Sequence, residues 1–468
     1  MKHRMATLRE RFFVSKSKRR LFPASIVDEL AHLMEKPLNT SITQGWTFTL
    51  DGKLSSPAIR EALDRCLTLY PKLKCTLTND YPFLKRVFRY FWKYRDDITS
   101  NALFDEIEDP DPHHSTKDKL SYYRDYYNSH CIDITREPPI KVLLIRQPER
   151  SHLIFFVHHA GVDGIGFLIF FQSFIEFYED SVYQRDKKSG GVPDFKGISK
   201  PTIPFRWKHL LPQYLCTYLK YGVMVDQEPL VHSRPQEPSP SMEKLLAVSR
   251  ELSSEQFSGI RATAKKHQVT INDYLLASMF HTVKKWNQQQ HGKSRRIYLD
   301  IPVNLRAPGE CTIGNIMCGF RIFLTSDLIG TKEETIRRVK EKRSLMMEKN
   351  IARKTVEIAW VLKPLPLSLK NILYSRRPDT YSPTLTMSNI GICKPNPSHQ
   401  DEEGFHYLGS ALIRSICFIG YAAPWPQLIA LTYNNRMTIS LSVFQSHFSL
   451  VSAEAFLDSF IEEINKQP

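Results

Sequence analysis

The sequence lacks paired cysteines and long apolar runs. Its 8 cysteines are scattered, and none forms the C-x-x-C pair that zinc sites and redox motifs use. No window approaches the roughly eighteen consecutive apolar residues of a membrane-spanning helix. The basic N-terminus has no apolar core of the kind found in secretory signals. These absences predict a cytoplasmic protein with reduced, mostly buried thiols and no bound metal.

Acidic residues are less abundant than basic residues. The 64 Lys and Arg residues outnumber the 49 Asp and Glu residues, which gives a formal net charge of +15. This excess favours anionic partners, namely the phosphates of a co-substrate, an acidic carrier protein or an anionic lipid surface. No DNA- or RNA-binding motif is present, so we expect no nucleic-acid partner.

Two segments, residues 81–95 and 204–222, interleave aromatic and basic residues. Aromatic rings favour the level of the lipid headgroups, and Lys or Arg side chains pair with anionic phosphate. One interpretation is peripheral contact with an anionic membrane. The other is amphipathic packing against the rest of the protein, with the charges solvated.

A chain of 468 residues is too long for one ordinary hydrophobic core, so we expect two lobes. Gly, Lys and Pro are concentrated at 184–200 and Pro recurs at 233–241, a composition typical of surface linkers. We therefore divide the chain into an N-terminal lobe (1–185), a linker or crossing region (186–241) and a C-terminal lobe (242–468). Strand and helix patterns alternate in both lobes, which indicates α/β sandwiches.

Local signals mark several elements within these lobes. Ser56 is placed to cap a helix whose first turn contains a proline. Thr270 and Asp273 have the spacing of a reciprocal helix cap. The consecutive residues Asn434 and Asn435 predict the turn of a β-hairpin.

The stretch FFVHHAGVDGIGF, residues 155–167, is the main candidate for chemistry. A predicted apolar strand is followed by His158 and His159, and then by Asp163 and Gly164. Histidine is the usual general base near neutral pH, because its pKa of about 6.5 leaves it largely uncharged. No G-x-S-x-G elbow supplies a nucleophile, so the pattern favours an acceptor that a histidine deprotonates. The alternative is a buried histidine pair followed by a structural turn.

These four residues match the HHxxxDG signature of a known superfamily. Its members resemble chloramphenicol acetyltransferase and include peptide-synthetase condensation domains, alcohol acetyltransferases, polyketide-associated acyltransferases and wax ester synthases. Further similar segments follow in the family's order, from about residue 45 to the C-terminus. They are LDGKLSSPAIREALDRCLTLYPKLKCTL, PPIKVLLI, VTINDYLLASMF, DIPVNLRAPGECTIGN and MSNIG. The ordered set is more specific than the motif alone.

The resemblance implies two chloramphenicol-acetyltransferase-like α/β sandwich lobes arranged in a V, with a tunnel between them. It implies that His159 is the general base, that His158 supports it and that Gly164 keeps the tunnel open. Asp163 is implied to be structural and to pair with Arg306 of the PVNLR stretch.

The resemblance also places the strand that contains Ser388 and Asn389 near the tunnel. Both residues are therefore candidates for stabilising a developing oxyanion, and ordinary strand packing is the alternative. No permanently bound cofactor is implied. The co-substrate is an acyl-CoA or an acylated carrier protein, and the acceptor is a hydroxyl or an amine.

Three functions remain open from the sequence. The first is transfer of an acyl group from a CoA thioester to the hydroxyl of a hydrophobic alcohol or lipid. The second is a free-standing condensation enzyme that uses a carrier-protein thioester and forms an amide or ester. The third is a non-catalytic member that binds lipid in the tunnel, and the intact motif argues against it. The DFGWG motif of the plant acyltransferases is absent, which disfavours that branch of the superfamily. Two lobes that complete one site within one chain predict a monomer.

Overall fold

The described residues form two α/β lobes, each built on a six-stranded sheet, together with a small three-stranded sheet. The computed structural model describes residues 21–80, 89–109, 130–185, 192–199, 243–290, 295–360, 363–375, 383–395 and 400–466, together with 124, 126–128, 216, 220 and 230. Within these ranges, no helix combines the length and the apolar character needed to cross a bilayer.

Strands and helices alternate along the chain, as the sequence patterns predict. In the first half they are β1 Leu21–Pro23, α1 Ile26–Leu38, β2 Thr43–Asp51, α2 Ser56–Leu69, β3 Cys75–Thr78, β4 Phe91–Tyr94, β5 Phe104–Glu108, β6 Ile140–Arg146, β7 Arg150–His158, α3 Gly164–Val182 and α4 Lys196–Ser199. In the second half they are β8 Leu245–Leu252, α5 Ser254–Lys266, α6 Ile271–Gln289, β9 Arg296–Asn304, β10 Met317–Thr325, α7 Lys332–Glu348, α8 Ile351–Ala359, α9 Leu367–Ser375, β11 Leu385–Ile392, β12 Tyr407–Leu408, β13 Ala411–Ile419, β14 Gln427–Tyr433, β15 Arg436–Phe444 and α10 Leu450–Asn465.

The first sheet has the strand order β12–β13–β2–β7–β6–β5. Its neighbours are antiparallel except for the parallel pair β5 and β6. Strands β2 and β7 lie at its centre and are buried along almost their whole length. Helices α2 and α3 share a hydrophobic core with this sheet. There Trp46 stacks on Phe167 and Phe418, with ring centroids 4.5 and 4.3 Å away.

Two strands of the first sheet come from the C-terminal part of the chain. Strands β12 and β13 form one edge of this sheet, and β13 pairs with β2. The sequence division assigns both strands to the lobe at 242–468, whereas in the structure they complete the first lobe. The physical reason is that the apolar pattern of ALIRSICFI specifies a strand but not the sheet edge that it joins.

The second sheet has the strand order β10–β9–β11–β14–β15–β8, in which β11 is parallel to both of its neighbours. Helices α5, α6 and α10 cover it and contribute to one core. A further apolar cluster joins the two lobes, because Ile154 and Phe156 of the first sheet pack with Leu245 and Phe444 of the second. The two sheets are therefore in direct contact.

The reciprocal helix cap and the hairpin turn predicted from the sequence are confirmed. Thr270 and Asp273 cap α6 through mutual side-chain to backbone hydrogen bonds. Asn434 and Asn435, between β14 and β15, have φ angles of 45° and 54°. These left-handed conformations are the ones that a two-residue hairpin requires and asparagine tolerates.

The cap of α2 differs from the prediction by one residue. Ser55, not Ser56, is the N-cap, and its side chain accepts a hydrogen bond from the N–H of Ala58 at 3.4 Å. The Ser56 hydroxyl instead donates to Glu106 at 2.7 Å. Two adjacent serines offer the same local signal, so the sequence places the start of the helix only to within a residue.

The aromatic and basic segment 81–95 is described from residue 89 onward. In that part, Phe91 and Trp92 of β4 are buried, with 5% and 0% of their surface exposed. These two rings pack inside the lobe, as the amphipathic-packing interpretation expects. The rest of this segment and most of 204–222 lie outside the described residues, so the membrane interpretation stays a prediction there.

Candidate active site

The HHxxxDG residues lie at the junction of β7 and α3. Strand β7 ends at His158, and α3 begins at Gly164 with Asp163 as its N-cap. Oδ1 of Asp163 accepts the N–H of Gly166 at 2.7 Å, the usual role of an aspartate before a helix. His159 therefore lies in a short connection between a buried strand and a buried helix, both fixed by the core.

Asp163 binds the second lobe through its other carboxylate oxygen. Oδ2 accepts hydrogen bonds from Nη1 of Arg306 at 2.9 Å and from the N–H of Ile316 at 2.6 Å. The Arg306 and Asp163 side chains are only 2% and 3% exposed. Arg306 also donates to the carbonyl groups of Thr312 and Gly314. The contact implied by the resemblance is thus present, and protein donors occupy both oxygens of Asp163.

His158 is fully buried, and both of its ring nitrogens have partners. Nδ1 accepts the N–H of Ala160 at 3.2 Å, so Nε2 carries the proton and donates to Oε1 of Glu35 at 2.8 Å. Glu35 also contacts Nδ1 of His32 at 2.9 Å. Burial raises the pKa of Glu35, but His158 and His32 outweigh burial and lower that pKa to about 2. Glu35 is therefore ionised near neutral pH and fixes the His158 ring.

Glu35 is a site residue that the sequence did not reveal. It lies on α1, 123 residues before His158, and the surrounding AHLMEKPLN contains no motif. Glutamate in a helix usually faces solvent. No local pattern therefore marks this one as the partner of a buried histidine.

His159 lines a cavity between the lobes. Its N–H donates to the carbonyl of Ile42 at 3.0 Å. Its Nδ1 is buried and has no hydrogen-bond partner among the described residues, and its ring stands edge-on to Tyr421 at 6.1 Å. Burial lowers the pKa of the imidazole below its usual 6.5, against smaller opposing effects of its own backbone and of Asp163. The neutral form, which can accept a proton, is thereby favoured.

The cavity has a volume of about 360 Å³, enough for a small ligand. The first lobe contributes residues of α1, β2, the motif and β13 to its walls. The second lobe contributes residues of β9, β10, β11 and β14. The cavity is therefore formed by facing parts of both lobes.

Gly164, Ser388 and Asn389 line the same cavity as His159. A Cβ atom on Gly164 would lie 3.0 Å from Cδ1 of Ile390, so a side chain here would crowd the cavity wall. Oδ1 of Asn389 accepts the N–H of the residue two positions later at 3.0 Å, where β11 has a bulge. Part of the Asn389 side chain is therefore used to shape its own strand.

The described part of the chain contains no group of three or more His, Cys, Asp and Glu side chains placed to hold a metal ion. All eight cysteines are free thiols. What the site offers is an imidazole, biased toward its neutral form, on the wall of a ligand-sized cavity. This arrangement is suited to removing a proton from a bound acceptor.

Comparison with known proteins identifies relatives of this chain. The family model for the condensation domain matches residues 30–293, more than half of the chain. An uncharacterised protein of Mycobacterium tuberculosis is 22% identical over 312 residues, which cover 64% of this chain and 70% of that protein.

Solved structures with the same architecture cover nearly the whole chain. A trichothecene 15-O-acetyltransferase from Fusarium sporotrichioides is 13% identical with a TM-score of 0.72, over 95% of this chain and 94% of that one. The first condensation domain of the calcium-dependent antibiotic synthetase, in complex with a substrate analogue, is 11% identical with a TM-score of 0.71, over 96% of both chains. At these identities the likeness shows a shared two-lobed fold.

Proposed function

This chain belongs to the condensation-domain family, and from that premise we propose that it transfers an acyl group from a coenzyme A thioester to the hydroxyl of a hydrophobic alcohol or lipid. The family and the fold support an acyl-transferring enzyme in general. The observation that carries the proposal is the position of His159 on the wall of the cavity between the lobes, with burial favouring its neutral form.

The reaction needs one base and no covalent enzyme intermediate. Nδ1 of His159 is buried, so an acceptor in the cavity approaches Nε2. The acceptor hydroxyl gives its proton to Nε2 while its oxygen bonds to the thioester carbonyl carbon. The tetrahedral intermediate then breaks its C–S bond, and the imidazolium returns the proton to the departing thiolate. Atoms and charges balance with an ester and a free thiol as products.

The neighbouring residues have positioning roles in this proposal. Asp163 and Arg306 fasten the motif connection to the second lobe, and Glu35 fixes the ring of His158 directly before the base. Ser388 and Asn389 are both oxyanion donors in this proposal, through the Ser388 hydroxyl and the Nδ2 group of Asn389, because only Oδ1 of Asn389 is engaged within β11. Donors aimed at a developing oxyanion typically contribute about 3–4 kcal/mol of transition-state stabilisation.

A second candidate is supported by the comparisons. Several solved structures similar to this chain are condensation domains of peptide or polyketide synthetases. The same base could deprotonate an amine, and the thioester could be presented by a carrier protein. The excess of basic residues, +15 in net charge, suits an acidic carrier protein as well as the phosphates of coenzyme A.

A thioester panel distinguishes these functions. The purified protein is incubated with acyl-CoAs of several chain lengths or with an acylated carrier protein, each with and without alcohol or amine acceptors. Free thiol and the mass of the product are measured together. Acceptor-dependent thiol release from acyl-CoA with ester formation supports the first function, and consumption of acylated carrier alone supports the second. Binding of an alcohol or lipid without thiol release from any donor contradicts both and identifies a non-catalytic member.

A further inference from the structure

A row of four polar side chains crosses the part of the second sheet that faces the cavity. Arg321 on β10 pairs in register with Asp300 on β9, Asp300 with Thr386 on β11, and Thr386 with Gln427 on β14. All four line the cavity. The register therefore places the polar groups of four neighbouring strands side by side; we call this set the polar row.

The polar row contains both hydrogen-bond donors and acceptors. Nε of Arg321 donates to Oδ1 of Asp300 at 3.0 Å, and the two side chains remain 29% and 25% exposed. The Thr386 hydroxyl accepts the indole N–H of Trp425 at 3.0 Å and keeps its own proton to donate. Because the Asp300 and Arg321 charges offset each other, the polar row suits a neutral polar group better than a charged one.

Tyr421 lines the cavity together with the polar row and the candidate base His159. Its ring lies 6.1 Å from that of His159. A molecule that fills this cavity would place one end at the polar row and the other near the imidazole.

The part of the cavity wall that α1 contributes has a different character. Helix α1 lines it with Val27, Leu30, Ala31 and Met34. Such an apolar wall suits an acyl chain, whereas polar groups facing an apolar occupant lose the hydrogen bonds that they make with water. The division of the cavity leaves the polar row for the acceptor.

We propose that the polar row binds a second hydroxyl group of the acceptor, so that the preferred substrates are alcohols whose apolar body carries another hydroxyl. This inference rests on the proposed function for the identity of the reacting hydroxyl. Asp300 accepts the hydrogen bond of the second hydroxyl, and Arg321 and Thr386 donate to its oxygen. A hydrogen bond to a charged partner corresponds to about a 10- to 100-fold preference for the diol over the corresponding mono-alcohol.

The kinetic test compares dodecanol with a series of dodecanediols that differ in the position of the second hydroxyl. The wild type should show a higher kcat/KM for at least one diol, and Asp300→Ala should lower that diol preference about 10- to 100-fold. Ser442→Ala is the matched control, because Ser442 pairs with Gln427 in the same register but is outside the cavity. The control should keep the wild-type preference.

A binding test keeps this inference separate from the proposed function. In the His159→Ala protein, calorimetric titration should show tighter binding of the preferred diol than of dodecanol, and Asp300→Ala/His159→Ala should abolish the difference. This result would support the inference even if no thioester is consumed. Equal binding of diol and mono-alcohol would overturn it. So would an Asp300→Ala effect confined to the KM of the thioester, because the polar row would then hold the donor.

Discussion

Replacement of Asp163 by alanine should destabilise the protein severely. The substitution removes the acceptor for Arg306, for the N–H of Ile316 and for the N–H of Gly166. Arg306 would be left as an unpaired charge with a side chain only 2% exposed. Loss of one member of a buried ion pair costs about 3–5 kcal/mol, and loss of a helix N-cap costs about 1 kcal/mol. We expect a decrease of about 4–6 kcal/mol in the free energy of unfolding.

Urea unfolding followed by circular dichroism measures this loss. The double variant Asp163→Ala/Arg306→Leu should recover part of it, because it removes the stranded charge as well. Asp458→Asn is the matched control, since Asp458 accepts from Arg250 at 2.7 Å on the surface, where its side chain is 49% exposed. The control should lose less than about 1 kcal/mol. An Asp163→Ala protein of nearly wild-type stability that has lost all activity would refute the structural role and place Asp163 in the chemistry.

Three further predictions follow from the site. Gly164→Ala should lower kcat/KM with little loss of stability, because the added Cβ would lie 3.0 Å from the flexible tip of the Ile390 side chain. The control Gly259→Ala should leave kcat/KM unchanged, because a Cβ there meets open space. Equal activity of the two variants would contradict this prediction. The kcat/KM of the wild type should rise with pH through a midpoint below 6.5, because the base must be neutral and burial lowers the pKa of His159; a midpoint above 6.5 would argue against this base. Glu35→Gln should lose about 3 kcal/mol near neutral pH in urea unfolding, the linkage value for a pKa lowered from 4.5 to about 2. This loss of stability should be fully present above pH 4.5 and should vanish as the pH falls toward 2. A loss of stability that does not change with pH would show that the charge of Glu35 is not its cause.

Local patterns predicted those features whose partners are close in sequence. The cap of α6 needs only Thr270 and Asp273, three residues apart, and the hairpin turn needs only two adjacent asparagines. Such signals are complete within a few residues. The HHxxxDG motif is equally local, and it indicated His159, which lines the cavity between the lobes.

Features that depend on distant partners could not be derived from spacing. Asp163 and Arg306 are 143 residues apart, and their pairing was expected only through the family resemblance. The contact between Glu35 and His158 could not be predicted, because no residue close to Glu35 in the sequence indicates it. The polar row arises from the register of β9, β10, β11 and β14, and Asp300 and Gln427 are far apart in the chain, so they have no visible relation in the sequence. Strand order is a tertiary property that periodicity does not specify.

The central claim is that the imidazole of His159 removes the acceptor proton, and substitution of the two motif histidines tests it most directly. Acceptor-dependent thiol release is compared in the wild type, His159→Ala and His158→Gln, with thermal unfolding to verify that each variant is folded. We predict that folded His159→Ala loses about 100- to 10,000-fold in kcat, the usual contribution of a general base. His158→Gln should lose less, because His158 is fully buried and bonded to Glu35. Thiol release by folded His159→Ala at the wild-type rate would contradict the account.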